Sequence, residues 1–360
     1  MARGGNRMQR REFLAACAAA PWAGAAEGSA PASQSDAPDE VSQHQAFVIV
    51  DPHAHPQSIF PSRSYDRTTP TPETLRAARL AVCAFSAVGD LAYLRGGLDA
   101  PFNDTRNQLQ RARDLAERNQ VHPVLKAADL PSIGTPTAGV LALLAIEGAD
   151  ALEGRISHLD RFHEDGVRLL TLVHERNNEL GFTQRSNTDG PLTPFGVEVV
   201  ERMNVRGMLI DVAHAKTQTL KSIVDVSARP VIDSHTSPLP AGEEGAGPRR
   251  LRTWQEMEWV ASTGGVICTW PLAHSGRRAE RSTLRHWAEE IVTMKMRLGM
   301  AHVGFGSDSG GGLPRLLDGW RSQASLPALI TAMRQAGLSQ DDMAAFLGGN
   351  VLRVLQACLS

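Results

Sequence analysis

The sequence predicts an α/β fold closed as a (β/α)8 TIM barrel, and three observations predict it. From Ala46 onward short apolar runs alternate with longer amphipathic stretches, eight of those runs have strand character, and several of them end in His, Asp or Glu. Alternating strands and helices imply a parallel sheet, and eight such units imply a closed barrel whose strand ends converge on one face. The strands fall at Ala46 to Val50, Leu80 to Phe85, Val140 to Ile146, Val167 to Val173, Gly207 to Val212, Pro230 to Asp233, Gly265 to Trp270 and His302 to Gly306. The run from Leu141 to Ile146 is apolar throughout, as a strand buried on both faces must be. A ninth run, Val121 to Lys126, carries Pro123 and reads as an edge segment or connector. Between the strands, Asn103 to Asn119, Pro194 to Asn204, Ser282 to Leu298 and Leu326 to Ala336 place charge on one face and Leu, Val, Ala or Met on the other, the period of a half-buried helix.

Composition narrows the function. With 37 Lys plus Arg against 39 Asp plus Glu the net charge is −2, without the clustered basic excess that nucleic-acid binding needs. Beyond the first 30 residues no apolar run approaches the roughly 18 residues that span a bilayer. At 360 residues the chain has room for one barrel of about 250 residues or more.

The N-terminus reads separately. Gln9 to Leu14 is Q-R-R-E-F-L, followed by an Ala-rich stretch to Ala26, the order of a twin-arginine export signal addressed to the export machinery of a bacterial inner membrane. Cleavage is expected between Ala25 and Ala30, which gives residues 1–30 as signal, 31–45 as a polar tether and 46–360 as one barrel domain. Leu14-Ala15-Ala16-Cys17 also matches a lipoprotein box, but little apolar sequence precedes Cys17, so a periplasmic or secreted soluble product is the preferred reading. Cys83 and Cys268 sit in apolar strand runs with no C-x-x-C spacing and read as free buried thiols.

The polar residues that end the strands carry the chemistry. Asp51-Pro52-His53-Ala54-His55 closes the first, Glu147 the third, His174 the fourth, His214 the fifth, His235 the sixth and Asp308 the eighth. In an extended segment residues i and i+2 point the same way, so the H-x-H pair can grip one ion. Six strand ends agreeing at one barrel mouth points to a metal site.

These residues resemble the renal (membrane) dipeptidase family of the metal-dependent amidohydrolases. The matching stretches are V-D-P-H-A-H at 50–55, L-L-A-I-E-G at 143–148, G-V-R-L-L-T-L-V-H-E-R-N at 166–177, V-V-E-R-M-N-V-R-G-M-L-I-D-V-A-H at 199–214, P-V-I-D-S-H-T at 230–236, H-V-G-F-G-S-D at 302–308 and G-G-N-V-L-R-V at 348–354. The resemblance implies a metal-dependent hydrolase barrel with a binuclear zinc site, two Zn2+ per chain. His53 and His55 would hold one ion, His214 and His235 the other, and Glu147 would bridge them. It also implies a small peptide as substrate, with Asp308 moving the proton, His174 contacting the carbonyl oxygen, and Arg250, with Arg249 as competitor, clamping the terminal carboxylate. A homodimer stays open.

The chain departs from the family pattern at three places. His55 stands where the family usually has Asp, Ser309-Gly310-Gly311 follows Asp308 in place of F-D-G, and Leu251 follows the clamp Arg in place of Asn, beyond a Pro/Gly/Glu-rich loop from Pro238 to Pro248. The expected activity is hydrolysis of dipeptides, including those with a C-terminal D-residue. The alternatives are a lactam or N-acyl amide hydrolase, or a metal-binding relative without activity.

Overall fold

The computed structural model describes residues 47–57, 59, 69–94, 100–135, 139–240, 250–275 and 280–359. The predicted export signal and tether, Arg249 and the loop from 241 to 249 lie outside the described residues. Eight parallel strands run in sequence order around the barrel: β1 (Ile49–Asp51), β2 (Leu80–Val88), β4 (Leu141–Glu147), β5 (Leu169–Thr171), β6 (Leu209–Asp211), β7 (Ile232–Thr236), β8 (Val266–Thr269) and β11 (Val303–Phe305). The ninth run is β3 (His122–Pro123), two residues paired to β4 outside the main path, as an edge segment carrying a proline should be. A short antiparallel pair, β9 (His274–Ser275) and β10 (Glu280–Arg281), stands apart from the barrel.

The connecting helices are α1 (Pro72–Ala77), α2 (Leu91–Leu94), α3 (Pro101–Arg118), α4 (Ile156–Glu164), α5 (Pro194–Arg206), α6 (Thr217–Val226), α7 (Trp254–Ser262), α8 (Leu284–Leu298), α9 (Leu326–Gln335), α10 (Gln340–Ala344) and α11 (Asn350–Cys358). Their ends are written in the sequence. Thr193 caps α5 by accepting from the Gly196 amide, Pro194 occupies the first turn where its missing N–H is no loss, and Gly207 ends the helix at φ 67. Thr253 and Glu256 form a reciprocal capping box at the start of α7.

Two apolar shells form. Leu143 and Ala145 of β4 pack inside the barrel with Val50, Val82, Ala84, Leu169, Leu209, Ile232, Val266 and Cys268, whereas Ala142, Leu144 and Ile146 face the helices. The period of two thus fills the barrel with one set of residues and seals the helical layer with the other. Val351, Leu352, Val354, Leu355 and Cys358 of α11 join the inner shell. Cys83, Cys268 and Cys358 are buried free thiols.

Several ladders end earlier than the apolar runs suggest. β5, β6 and β11 are three residues long, so His174, His214 and Asp308 lie in the segments just beyond them. Around β6, β7 and β11 side chains take backbone donors: the amides of Ala213 and Ser234 donate to Asp211 Oδ1 (both 3.0 Å), and that of Ser307 donates to Asp51 Oδ1 (3.0 Å), in place of backbone carbonyls. The ring closes at this level. β11 and β1 share no ladder, but His55 N donates to Ser309 O (2.8 Å) and Asp308 N to His53 O (3.0 Å).

Close approach of backbones is required where β11 passes β7. A Cβ on Gly306 would lie 2.0 Å from the Ser234 carbonyl oxygen. Gly306→Ala is therefore expected to destabilise the barrel by about 1–3 kcal/mol through overpacking. The apparent urea midpoint should fall, and an unchanged midpoint would mean that the two strand ends are not packed this tightly.

Candidate metal centre

The inward period of β4 runs Leu143, Ala145, Glu147, so the strand that fills the barrel with apolar side chains ends by pointing a carboxylate up its axis. Four imidazoles close on it. His214 Nε2 lies 2.8 Å from Glu147 Oε1, His53 Nε2 3.3 Å and His235 Nε2 3.6 Å from the same oxygen, and His55 Nε2 3.4 Å from Oε2. His174 Nε2 also approaches Oε2 at 3.4 Å. Asp308 Oδ1 faces the first pair, 3.8 Å from His53 Nε2 and 3.6 Å from His55 Nε2. Each of these residues is buried except His174, which is partly open to the mouth.

Two of the side chains reach the mouth from backbone that non-glycine residues seldom adopt. His214 has φ 64 and Asp308 φ 48. Such conformations cost energy and persist where the surroundings impose them. At His214 the turn is held by Ala213 N to Asp211 and by Gln184 N donating to His214 O (2.7 Å); at Asp308 it is held by the seam to His53 and by Gly311 N donating back to Asp308 O (3.0 Å).

Three of the nitrogens that face away from the cluster are held as well. His55 Nδ1 meets Ser86 O at 3.1 Å, His174 Nδ1 meets Asp90 Oδ1 at 2.7 Å, and His235 Nδ1 meets Ser234 Oγ at 2.8 Å. A ring fixed through Nδ1 presents Nε2 to an ion. His53 Nδ1 and Nε2 and His214 Nδ1 are buried without hydrogen-bond partners among the described residues.

The electrostatics of the cluster are those of closely coupled buried groups. Burial alone would depress the His53 imidazolium, but Glu147, Asp308 and Asp211 outweigh it and lift its pKa to about 9. Burial also works against the Glu147 carboxylate, which His174 and His53 nevertheless hold well below the usual range. His214 and His235 move the other way: burial, the Arg250 charge and neighbouring imidazoles push both well below an ordinary histidine. Burial and the nearby Glu147 raise Asp308. One proton cannot serve five imidazoles, whereas a divalent ion satisfies several lone pairs at once. Imidazole and carboxylate donors suit a divalent transition metal, and three overlapping groups could hold one: His53, His55 and Glu147; His53, His235 and Asp308; Glu147, His174 and His214.

Arg250 comes to the same mouth. Its guanidinium carbon lies 5.2 Å above the Trp270 ring centre, and Nη2 donates to His235 O at 3.5 Å. Among the described residues its Nε has no hydrogen-bond partner and the side chain pairs with no carboxylate. Arg252, two residues on, is structural. Fully buried, it donates to Asp233 Oδ2 (2.7 Å), Val212 O (2.6 Å) and Ala215 O, tying the ends of β6 and β7 together.

All the residues singled out from sequence are therefore brought together, apart from Arg249. Their supports were missed. Asp211 carried a readable signal, since it follows Leu209 at the inward period just as Glu147 follows Ala145. Asp90 carried none, because its partner His174 is 84 residues away.

A sequence profile of the membrane dipeptidase family matches residues 44–359. A dipeptidase of Claviceps purpurea is 28% identical over 264 residues, 71% of this chain and 60% of that protein, so the match spans little more than half of its relative. An amidohydrolase from Pseudomonas aeruginosa has the same fold, with a TM-score of 0.73 at 21% identity over 89% of this chain and 99% of that one. So does a metallopeptidase from Rhodobacter sphaeroides liganded with a phosphinate mimic of the dipeptide L-Ala-D-Ala, with a TM-score of 0.72 at 19% identity over 87% and 99%. With the family's profile extending over nearly the whole barrel, this chain belongs to the membrane dipeptidase family.

Proposed function

We propose that the chain is a zinc-dependent dipeptidase that hydrolyses the peptide bond of dipeptides with free termini. The observation that carries this is the convergence of four imidazoles on the Glu147 carboxylate at the mouth of the barrel. His53 and His55 would hold one ion, His214 and His235 a second, with Glu147 shared between them. When bound, zinc supplies Lewis acidity toward the scissile carbonyl and makes water acidic enough to act as a nucleophile near neutral pH.

The remaining work belongs to the chain's own groups. Asp308 takes the proton of the attacking water and passes it to the leaving amine. Its carboxyl stands 3.6–3.8 Å from the His53 and His55 nitrogens, on the side of the mouth where those two imidazoles would hold their ion. His174, held through Nδ1–H by Asp90, aims Nε2 into the mouth, and in its imidazolium form the Nε2–H donates to the carbonyl oxygen as negative charge develops there. Arg250 offers a planar fork to the substrate's terminal carboxylate, and the Trp270 ring lies beneath its charge at 5.2 Å. The ligand of the Rhodobacter peptidase extends the substrate class to dipeptides with a C-terminal D-residue.

Four outcomes are expected. Purified protein should contain about two zinc equivalents per chain and lose dipeptide turnover on chelation, with recovery on adding zinc. His214→Ala should lose both turnover and metal, and full activity in that variant would sink the binuclear arrangement. Arg250→Met should raise KM about 10–100-fold for dipeptides, the worth of charged hydrogen bonds, and far less for C-terminal amides. An equal change for both substrates would remove Arg250 from the clamp, and zinc content without dipeptide turnover would favour the lactam or N-acyl amide alternative suggested by Ser309-Gly310-Gly311. The Gln9 to Leu14 motif further supports export to the periplasm; replacing Arg10 and Arg11 with Lys should retain the protein in the cytoplasmic fraction, and unchanged fractionation would refute the twin-arginine route.

A further inference from the structure

We propose that Asp211, acting through the Ser234 hydroxyl, fixes the His235 imidazole in its Nδ1–H form and keeps the Nε2 lone pair turned toward the metal centre, an inference that rests on the metal-dependent reading above. The direction of the hydrogen bonds requires it. Asp211 is wholly buried beneath the cluster at the inward end of β6. Its Oδ1 accepts the amides of Ala213 and Ser234, each at 3.0 Å, and its Oδ2 accepts the hydroxyls of Thr171 and Ser234, each at 2.7 Å. A serine hydroxyl has a single proton. With that proton directed to Asp211, Ser234 Oγ meets His235 Nδ1 at 2.8 Å only as an acceptor, so Nδ1 must be the nitrogen that carries hydrogen.

Nε2, on the opposite edge of the ring, then carries the lone pair. It lies 3.6 Å from Glu147 Oε1 and 3.2 Å from His214 Nε2. The ring itself is wedged, stacked on His53 at 4.1 Å between centres and tilted against Trp270 at 5.3 Å, so its direction is set by packing and its proton position by the relay. Carboxylates that orient ligand histidines usually touch the ring directly. Here the carboxylate is one hydroxyl removed, because Asp211 also supplies the acceptor for Ala213 N that turns the chain into His214. One buried group thus stands behind both histidines of the second ion, and Ser234 and Asp211 are positioning residues for it.

The test uses full-length protein. Long-range 1H–15N NMR of the metal-free wild type should show His235 with a protonated Nδ1 and a bare Nε2; a protonated Nε2 would overturn the inference without need of any variant. Zinc affinity, measured by competition with a chromophoric chelator, should fall about 10–100-fold for one of the two equivalents in Ser234→Ala. Thr171→Val is the control, since it removes the other hydroxyl from the same Asp211 oxygen but lies off the path to His235, and it should leave zinc affinity at the wild-type value. Parent affinity in Ser234→Ala, or an equal loss in Thr171→Val, would show that the relay does not tune the metal. A wild type that binds no zinc would defeat the dipeptidase reading instead, and the tautomer would still decide this one.

Discussion

The closure of the barrel between its last and first strands is the constraint on which the site depends. β11 and β1 lie side by side without a ladder, and the gap is bridged just above the strand ends, by Ser307 N to the Asp51 carboxylate, Asp308 N to His53 O and His55 N to Ser309 O. The residues that close the ring are therefore the residues of the site or their chain neighbours. Any opening of the seam would part Asp308 from His53 and His55, so the spacing of this carboxylate from the two imidazoles is held by the same bonds that make the sheet continuous. Gln323 adds to the lock from outside the strands, donating to Asp51 Oδ2 (2.9 Å) and to Ser307 Oγ (3.1 Å).

Elsewhere around the mouth, buried aspartates do what backbone carbonyls do lower in the barrel. Asp211 gathers β5, β6 and β7 through Thr171, Ala213 and Ser234, and Asp233 anchors Arg252, whose guanidinium reaches carbonyls beyond β6. A buried carboxyl left without donors is costly, which makes these positions intolerant of loss. Burial raises Asp51 and Asp233 despite their donors, which shows how much desolvation the mouth imposes on acidic groups. Ending the ladders early also frees the chain to adopt the positive φ values of His214 and Asp308. Strain and side-chain acceptors are thus two parts of one device: the strands stop so that these two side chains can turn inward.

The strands were readable because burial on both faces forces apolar runs, and the ends of the runs were readable because polar residues follow them abruptly. Glu147 and the H-x-H pair needed no more than the period of two. The partners that orient these residues were not readable. Asp90 sits after Val88 and Gly89, where a Cβ on Gly89 would lie 1.8 Å from the Gly148 carbonyl oxygen, so its place beside His174 is created by the contact of two strand ends far apart in sequence. Arg250 and Arg252 present the same problem in reverse. Close together in an R-R-L-R cluster, they look alike as sequence, yet one is exhausted by Asp233 and two carbonyls while the other stacks on Trp270 with donors to spare. Only the third dimension separates the structural arginine from the one available to an anion.

The H-x-H segment and the segment after Asp308 constrain each other through their backbones. His55 Nδ1 is anchored to Ser86 O so that Nε2 reaches the Glu147 carboxylate. The segment after Asp308 runs directly against it: a Cβ on Gly310 would stand 2.4 Å from His55 O and 3.2 Å from His55 Cβ, and Gly310 has φ 82. A Cβ on Gly311 would meet Asp308 Oδ1 at 2.0 Å. Bulk after Asp308 would thus collide with the backbone of the H-x-H segment or displace the carboxylate that faces it. The small residues at 310 and 311 follow from how closely the two ends of the seam approach.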